Sequence, residues 1–339
     1  MTILAETADS KAPPGTVRTL GPLEDATEKA VSGTTRSAGA QVTLYVNDIP
    51  VVTTHSHGAG KTGGRFYLRC HELADYLGDG DRISLRDAAG SCLVIGKDAT
   101  THVVSNGRAS QVEALKARLA QGDVFSKFGR LSRGWTPERK QAVRRLFEAV
   151  ADELKRGFDY DLMPAYGNLL GAVREGDFIV HDAGMFDTMY LSRHAEPAPV
   201  VEEAFRIVTH LAAAGFAVKG AKSCTVYITS PADRSVALDF SWAWFDPEGN
   251  FDISVGSRFR KSRDREGYDR FATAFLGDWP VRIPGNAEEI LFQLYGENWR
   301  IPDQGLRTGE RLTRSERYLL SEAQLARIVE LKQQSRRRA

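Results

Sequence analysis

Between Gln41 and Ser105 the apolar residues come in short runs, VTLYV, IPVVTTH, RFYLR, RISLR, SCLVIG and THVVS, separated by Gly, Asn and Asp. Brief β-branched and aromatic runs punctuated in this way predict strands and turns, so 41–105 reads as a small β-rich module. The spacing then lengthens: Val112, Leu115 and Leu119 recur at helical intervals within 109–120, and FSKFGRLSRGW after them reads as a basic, aromatic connector. Residues 106–135 are therefore expected to be a linker carrying one helix. Thr136 ahead of Pro137 supplies a capping hydroxyl and a first-turn proline, and Val143, Leu146, Phe147, Val150 and Leu154 follow every three or four residues. A helix over 137–156 follows, with Gly157 as its expected stop.

Farther on, VVEEAFRIVTHLAAAG predicts a helix at about 200–214, and SCTVYIT (223–229) and SVALDFSWAWF (235–245) predict strands. Helices and strands interleave, so a second domain over 136–310 is expected to be mixed α/β (α+β), a sheet with flanking helices. Ser321 and Gln324 form a capping box ahead of LARIVELKQQ, and 311–339 reads as an amphipathic terminal helix ending in a basic tail. Residues 1–40, rich in Ala, Gly, Ser, Thr and Pro, are expected to be a disordered arm.

Composition narrows the partners. The chain has 339 residues with 45 Lys and Arg against 44 Asp and Glu, a net charge of +1, so no global field favours nucleic acid or an anionic membrane. No apolar run reaches the ~20 residues of a membrane span, and the acidic start MTILAETADS lacks the form of a secretory signal. Cys70, Cys92 and Cys224 are odd in number and widely spaced, which fits thiols in a reducing compartment. A cytoplasmic protein is expected.

HSHGAGKTGG (55–64) ends in Gly60-Lys61-Thr62 like a phosphate loop, but His55 stands where that motif needs its first glycine, so a turn between strands is the better reading. His55, His57, Cys70 and His71 match no closed zinc pattern. The chemistry concentrates instead in YGNLLGAVREGDFIVHDAGMFDTMYLSR (166–193), where carboxylates stand among apolar residues and burying them calls for a compensating cation. Gly167 and Asn168 at a strand end let the backbone approach a phosphate, a helix over Leu169 to Val173 turns its amides toward the same anion, and Arg174 can add a bidentate contact. Asp182 and Asp187 are hard oxygen ligands of the kind Mg²⁺ takes alongside substrate phosphates. Alternation in the 235–245 strand puts Asp239 on the face opposite Leu238 and Phe240, beside the first strand's acid. A Gly-rich turn with a few acids is, taken alone, commonly no more than a turn.

The segment YGNLLGAVREGDFIVHD resembles the LicD and fukutin-like phosphotransferases through Gly167, Leu169, Leu170, Gly171, Arg174, Phe178, Ile179 and Asp182. IPGNAEEILFQLYGENWRIP (283–302) is similar to that family's closing segment through Tyr295, Gly296, Trp299 and Pro302. The likeness covers about 136–305 and leaves out the β-rich module. It implies a nucleotidyltransferase-like fold, a divalent metal, Mg²⁺ or Mn²⁺, and transfer of phosphocholine, ribitol phosphate or glycerol phosphate from a CDP-linked donor to a glycan or cell-surface polymer. On this reading Gly167, Asn168, Arg174 and His181 hold phosphate, Asp187 and Asp239 hold the metal, and Asp182 is a third ligand or the general base. The family pattern has two acids two residues apart, whereas here Met185 stands where the first belongs. An odd separation turns Asp182 and Asp187 to opposite sides of an unbroken strand, so either a bulge near Gly184 or a loop position for Asp182 is needed for them to converge. Two other readings stay open: a member of the family that binds a glycan or a partner without turnover, and a nucleotidylating enzyme on the same fold.

Overall fold

The computed structural model describes residues 15–20, 30–58, 63–95, 98–182, 184–220, 225–259, 270–304, 313–314 and 320–338. Gly60-Lys61-Thr62 and Cys224, and residues 1–14 and 21–29 of the expected arm, lie outside them. Two units form, one of residues 1–134 with 300–306, the other of 135–299 with 307–339.

In the first unit the strands are β1 (Thr16–Leu20), β2 (Ala30–Thr35), β3 (Gln41–Val46), β4 (Ile49–His55), β5 (His57–Gly58), β6 (Gly64–Arg69), β7 (Arg82–Asp87), β8 (Val94–Ile95) and β9 (His102–Val103). They make two sheets, ordered β5-β6-β2-β1-β8 and β4-β3-β7-β9. The alternation that marked these runs is that of strands with one face buried: Val42, Leu44, Val46, Phe66, Leu68, Ile83 and Leu85 all enter the core. Helix α1 (Val112–Ala120) adds Val112 and Leu115 to it.

Three sequence expectations change in this unit. β1 and β2 occupy part of the expected arm, because the hydroxyls of that polar stretch find partners: Thr35 Oγ1 donates to Ser37 O and Ser56 Oγ, both at 2.7 Å. The supposed connector pairs with itself as β10 (Asp123–Phe125) and β11 (Leu131–Arg133). Residues 300–306 group with this unit rather than with 136–299. There Gln304, almost fully buried, brackets the Arg69 backbone by accepting from its N–H and donating to its carbonyl, each at 2.9 Å, and Asp303 accepts from Thr54 Oγ1 at 3.1 Å and meets His57 Nε2 at 2.7 Å.

The second unit is mixed α/β. Helix α2 (Pro137–Phe158) starts as its sequence predicts, with Thr136 Oγ1 accepting from the Arg139 N–H. It does not stop at Gly157. The helix runs one residue past it to an αL cap at Asp159, and the glycine serves the close approach of His210, whose Nε2 would lie 3.0 Å from a Cβ there. β12 (Met163–Pro164), α3 (Tyr166–Leu170), β13 (Phe186–Leu191), α4 (Pro197–Ala213), β14 (Ala217–Gly220), β15 (Val226–Thr229) and β16 (Leu238–Phe245) follow, with a π-helical turn at Gly171–Glu175 continuing α3. β17 (Phe251–Ile253), β18 (Ser257–Phe259), the hairpin β19 (Phe271–Leu276) and β20 (Trp279–Pro284), α5 (Ala287–Tyr295), β21 (Thr313–Arg314) and α6 (Glu322–Arg338) complete it. Ser321 and Gln324 close the capping box reciprocally, at 2.9 and 3.2 Å.

The large sheet of this unit runs β12-β13-β16-β17-β18-β21, with β15 pairing β16 and β14 pairing β15. β13 and β16 are parallel, and β15 is antiparallel to β16. One face is dry. Phe186 packs edge-on against Phe147 of α2 with centroids 5.8 Å apart, Tyr190 lies 5.1 Å from Tyr160, and the Tyr160 hydroxyl donates to Glu203 of α4 at 2.6 Å. Residues one position away along the same strands turn to the other face, and there the expected chemistry gathers.

Candidate functional site

The segment 163–168 is built against the start of β13. Met163 and Pro164 pair with Met189 and Thr188, the Ala165 N–H donates to the Asp187 carbonyl at 2.9 Å, and Asn168 Oδ1 accepts the Asp187 N–H at 2.8 Å. Both backbone polar groups of Asp187 are thus held by this one segment. To make the turn, Tyr166 takes φ +46°, a left-handed backbone uncommon for a bulky aromatic and of the kind that collects at functional sites. Its hydroxyl shares a hydrogen bond with Ser257 Oγ at 3.1 Å.

Asp187 and Asp239 are register partners across the parallel pair β13 and β16. Register partners share a face and stand about 4.8 Å apart, so the two carboxylates are side by side. Both residues are half-buried, while the rows on either side of them, Phe186 with Leu238 and Thr188 with Phe240, are closed to solvent. Thr225 Oγ1, just ahead of β15, donates to Asp239 Oδ1 and fixes that carboxylate.

Asp182 lies in a turn, its N–H donating to the Ile179 carbonyl at 3.1 Å. Asp182 takes the loop position, yet Asp182, Asp187 and Asp239 do not form the three-acid metal group expected from the sequence. The Asp182 carbonyl accepts from Trp135 Nε1 at 3.2 Å, and the Gly184 carbonyl accepts from Arg139 at 2.8 Å, so the loop hangs from the N-terminal end of α2. The carboxylate points at Gly167: a Cβ there would fall 2.0 Å from Asp182 Oδ2. The glycine therefore makes room for an acid of the same chain, where the sequence had placed a substrate phosphate. His181 shares the turn and is partly exposed.

Tyr295, from the closing segment, senses the same cluster. Burial of its phenol raises it well above the ordinary tyrosine value, the charges of Asp182 and Asp187 and then Tyr166 push the same way, and Arg174 opposes them. Sequence reasoning chose Tyr295 as part of a motif and not as part of the site. The side chain of Arg174, expected on phosphate, is only 4% exposed and donates to Glu175 Oε1 at 2.7 Å and to the Trp299 carbonyl at 3.1 Å. It places a buried cation near the carboxylates and ties the π-turn to the closing segment.

Among the described residues no group of three or more His, Cys, Asp or Glu side chains is arranged to hold a metal ion. The donor set the fold does supply is the Asp187 and Asp239 pair. Two adjacent carboxylates fit Mg²⁺, which is commonly held by one or two such groups while substrate phosphates and waters fill the other positions. A separate groove of about 490 Å³, lined by Trp135, Lys140, Arg144, Phe178 and Trp279 among others, includes none of the three aspartates. No described helix is long and apolar enough to cross a membrane.

No protein-family model matches the chain, and no curated protein matches it. Solved structures similar to part of it include Cid1, described with its RNA terminal uridylyl transferase activity, at 16% identity and a TM-score of 0.26 over 32% of this chain and 31% of that one. Another is CdnC of E. coli MS115-1 with ATP, at 14% identity and a TM-score of 0.23 over 34% of this chain and 37% of that one. The chain thus spans about a third of the length of each.

Proposed function

We propose that the protein is a LicD-like phosphotransferase that moves a phosphorylated small alcohol from a CDP-linked donor to a hydroxyl of a glycan or cell-surface polymer, in the cytoplasm. The observation that carries this reading is the register of β13 and β16, which sets Asp187 beside Asp239, next to the turn that aims Asp182 at Gly167. Asp187 and Asp239 would hold Mg²⁺ or Mn²⁺, which when bound neutralises charge on the diphosphate. Asn168 fixes the first of these acids through its amide, and Thr225 fixes the second through its carboxylate.

In the reaction the acceptor oxygen bonds to the phosphorus that bears the alcohol, the bond from that phosphorus to the CMP oxygen breaks, and CMP leaves. The hydroxyl proton goes to the Asp182 carboxylate, acting as general base. His181 meets the incoming phosphate, and Arg174 supplies positive charge without touching it. The β-rich unit is assigned to acceptor recruitment.

The test is release of CMP from CDP-choline, CDP-ribitol and CDP-glycerol by the purified chain with Mg²⁺. Turnover that disappears in Asp187→Ala and Asp239→Ala, with the melting temperature retained, supports the reading; absence of turnover with all three donors overturns it. Met185, 38% exposed where the family pattern has an acid, favours a second reading, a protein that binds its donor or glycan without turnover. Donor binding unchanged by the same two substitutions, together with no CMP release, is the outcome that selects it.

A further inference from the structure

The sheet row that pairs the two aspartates continues outward. Asp187 is the register partner of Asp239, Asp239 of Tyr227, and Tyr227 of Lys219, so one row crosses β13, β16, β15 and β14. The adjacent row, Phe186, Leu238, Ile228 and Val218, is 0 to 2% exposed throughout and occupies the dry face. By alternation, Asp187, Asp239, Tyr227 and Lys219 share the other face; the first three are half-buried and Lys219 is exposed.

We propose that Lys219 and Tyr227 complete the donor site, Lys219 as the cation for the phosphate that lies away from the carboxylate pair and Tyr227 as the neutral group between them. This rests on the reading that the protein takes a nucleoside diphosphate. Two adjacent carboxylates repel a diphosphate, and neutralisation at their own position leaves a second phosphate without a partner. Arg174, which the sequence offered for that phosphate, is buried and engaged by Glu175 and the Trp299 carbonyl. Strands are about 4.8 Å apart, so the Lys219 Cα stands about 10 Å from that of Asp239, a gap that a four-carbon stem and a diphosphate close together.

The experiment is calorimetric binding of CDP and of CMP to the full chain with Mg²⁺, comparing wild type with Lys219→Met, Lys219→Arg and Tyr227→Phe. Lys219 is exposed, and unchanged melting of its variants verifies the fold. Lys219→Met should weaken CDP binding about tenfold or more, as loss of a charge-assisted contact does, with CMP affected less and Lys219→Arg recovering most of the loss. Tyr227→Phe should cost about threefold on CDP, in line with the loss of one neutral hydrogen bond. If Lys219 serves only to keep an edge strand from pairing with other chains, CDP binding by Lys219→Met equals that of wild type, which overturns the inference and leaves the donor reading standing. Failure of wild type to bind CDP at all overturns both.

Discussion

Asn168 Oδ1 accepts the backbone N–H of Asp187 at 2.8 Å, joining the first turn of α3 to the first turn-facing residue of β13. This bond explains why an amide follows Tyr166-Gly167. A side-chain acceptor in the helix's first turn reaches this backbone donor of the strand and orients the acid that carries it. Asn168 is 6% exposed, so no water replaces the bond easily.

Asn168→Ala should therefore cost about 1 to 3 kcal/mol of stability, the penalty for stranding a largely buried N–H. Donor turnover should fall further than that loss accounts for, since Asp187 loses its anchor. Chemical denaturation and CMP release on the same preparations separate the two effects; equal stability in wild type and variant would show that the bond does not hold the strand.

Gly167→Ala tests the placement of Asp182. The new methyl would meet Asp182 Oδ2 at 2.0 Å, yet the clash is with the end of a side chain that can swing away, so melting should change little. CMP release should drop about a hundredfold or more, the scale on which a positioned general base contributes. Retained activity would remove Asp182 from the reaction.

How much of this was legible in the sequence depends on which interactions fix each residue. Asp239 was readable because strand alternation is a local rule, and Leu238 and Phe240 declare the buried face on either side of it. The β1 and β2 strands were not, because a Thr- and Ser-rich stretch is held by partners distant in sequence, as Thr35 is by Ser56. Gly157 misled for a related reason: its neighbour is His210 of another helix, and nothing nearby in the chain reveals that. Lys219 was invisible as a site residue until the register of β14 and β15 placed it in a row with Asp239.

Alkaline pH should weaken the fold through Tyr190 and Tyr295. Burial raises both Tyr190 and Tyr295 well above the ordinary value, with Glu203 adding to the first and Asp182 and Asp187 to the second. A tyrosine in the unfolded chain ionises near pH ~10 while these stay protonated in the folded one, so the unfolded state binds fewer protons above that pH and stability falls as pH rises. The contribution is complete below pH ~10 and is lost from there up toward the folded-state values. Denaturation midpoints taken between pH 8 and 11.5 should decline at the top of that range, and Tyr190→Phe with Tyr295→Phe should flatten the decline. A midpoint in wild type no more sensitive than in the double variant would contradict it.

Met185→Asp is the substitution that most directly tests the carboxylate site. Met185 precedes β13 by one residue and lies two before Asp187, so alternation carried back one step turns it to the same side as that acid. It is 38% exposed, and the exchange gives up little packing. A third carboxylate beside Asp187 and Asp239 raises the negative charge available to a divalent cation, and ligand charge is among the main determinants of such affinities. Mn²⁺ affinity, measured by calorimetry without nucleotide, should rise about tenfold, and CMP release should reach its maximum at correspondingly lower Mg²⁺. The gain should vanish when Asp239→Ala is combined with it, because the new acid acts only as a neighbour of the existing pair. Tighter Mn²⁺ binding that survives loss of Asp239 would place the ion elsewhere on the chain and detach Asp187 from the chemistry assigned to it.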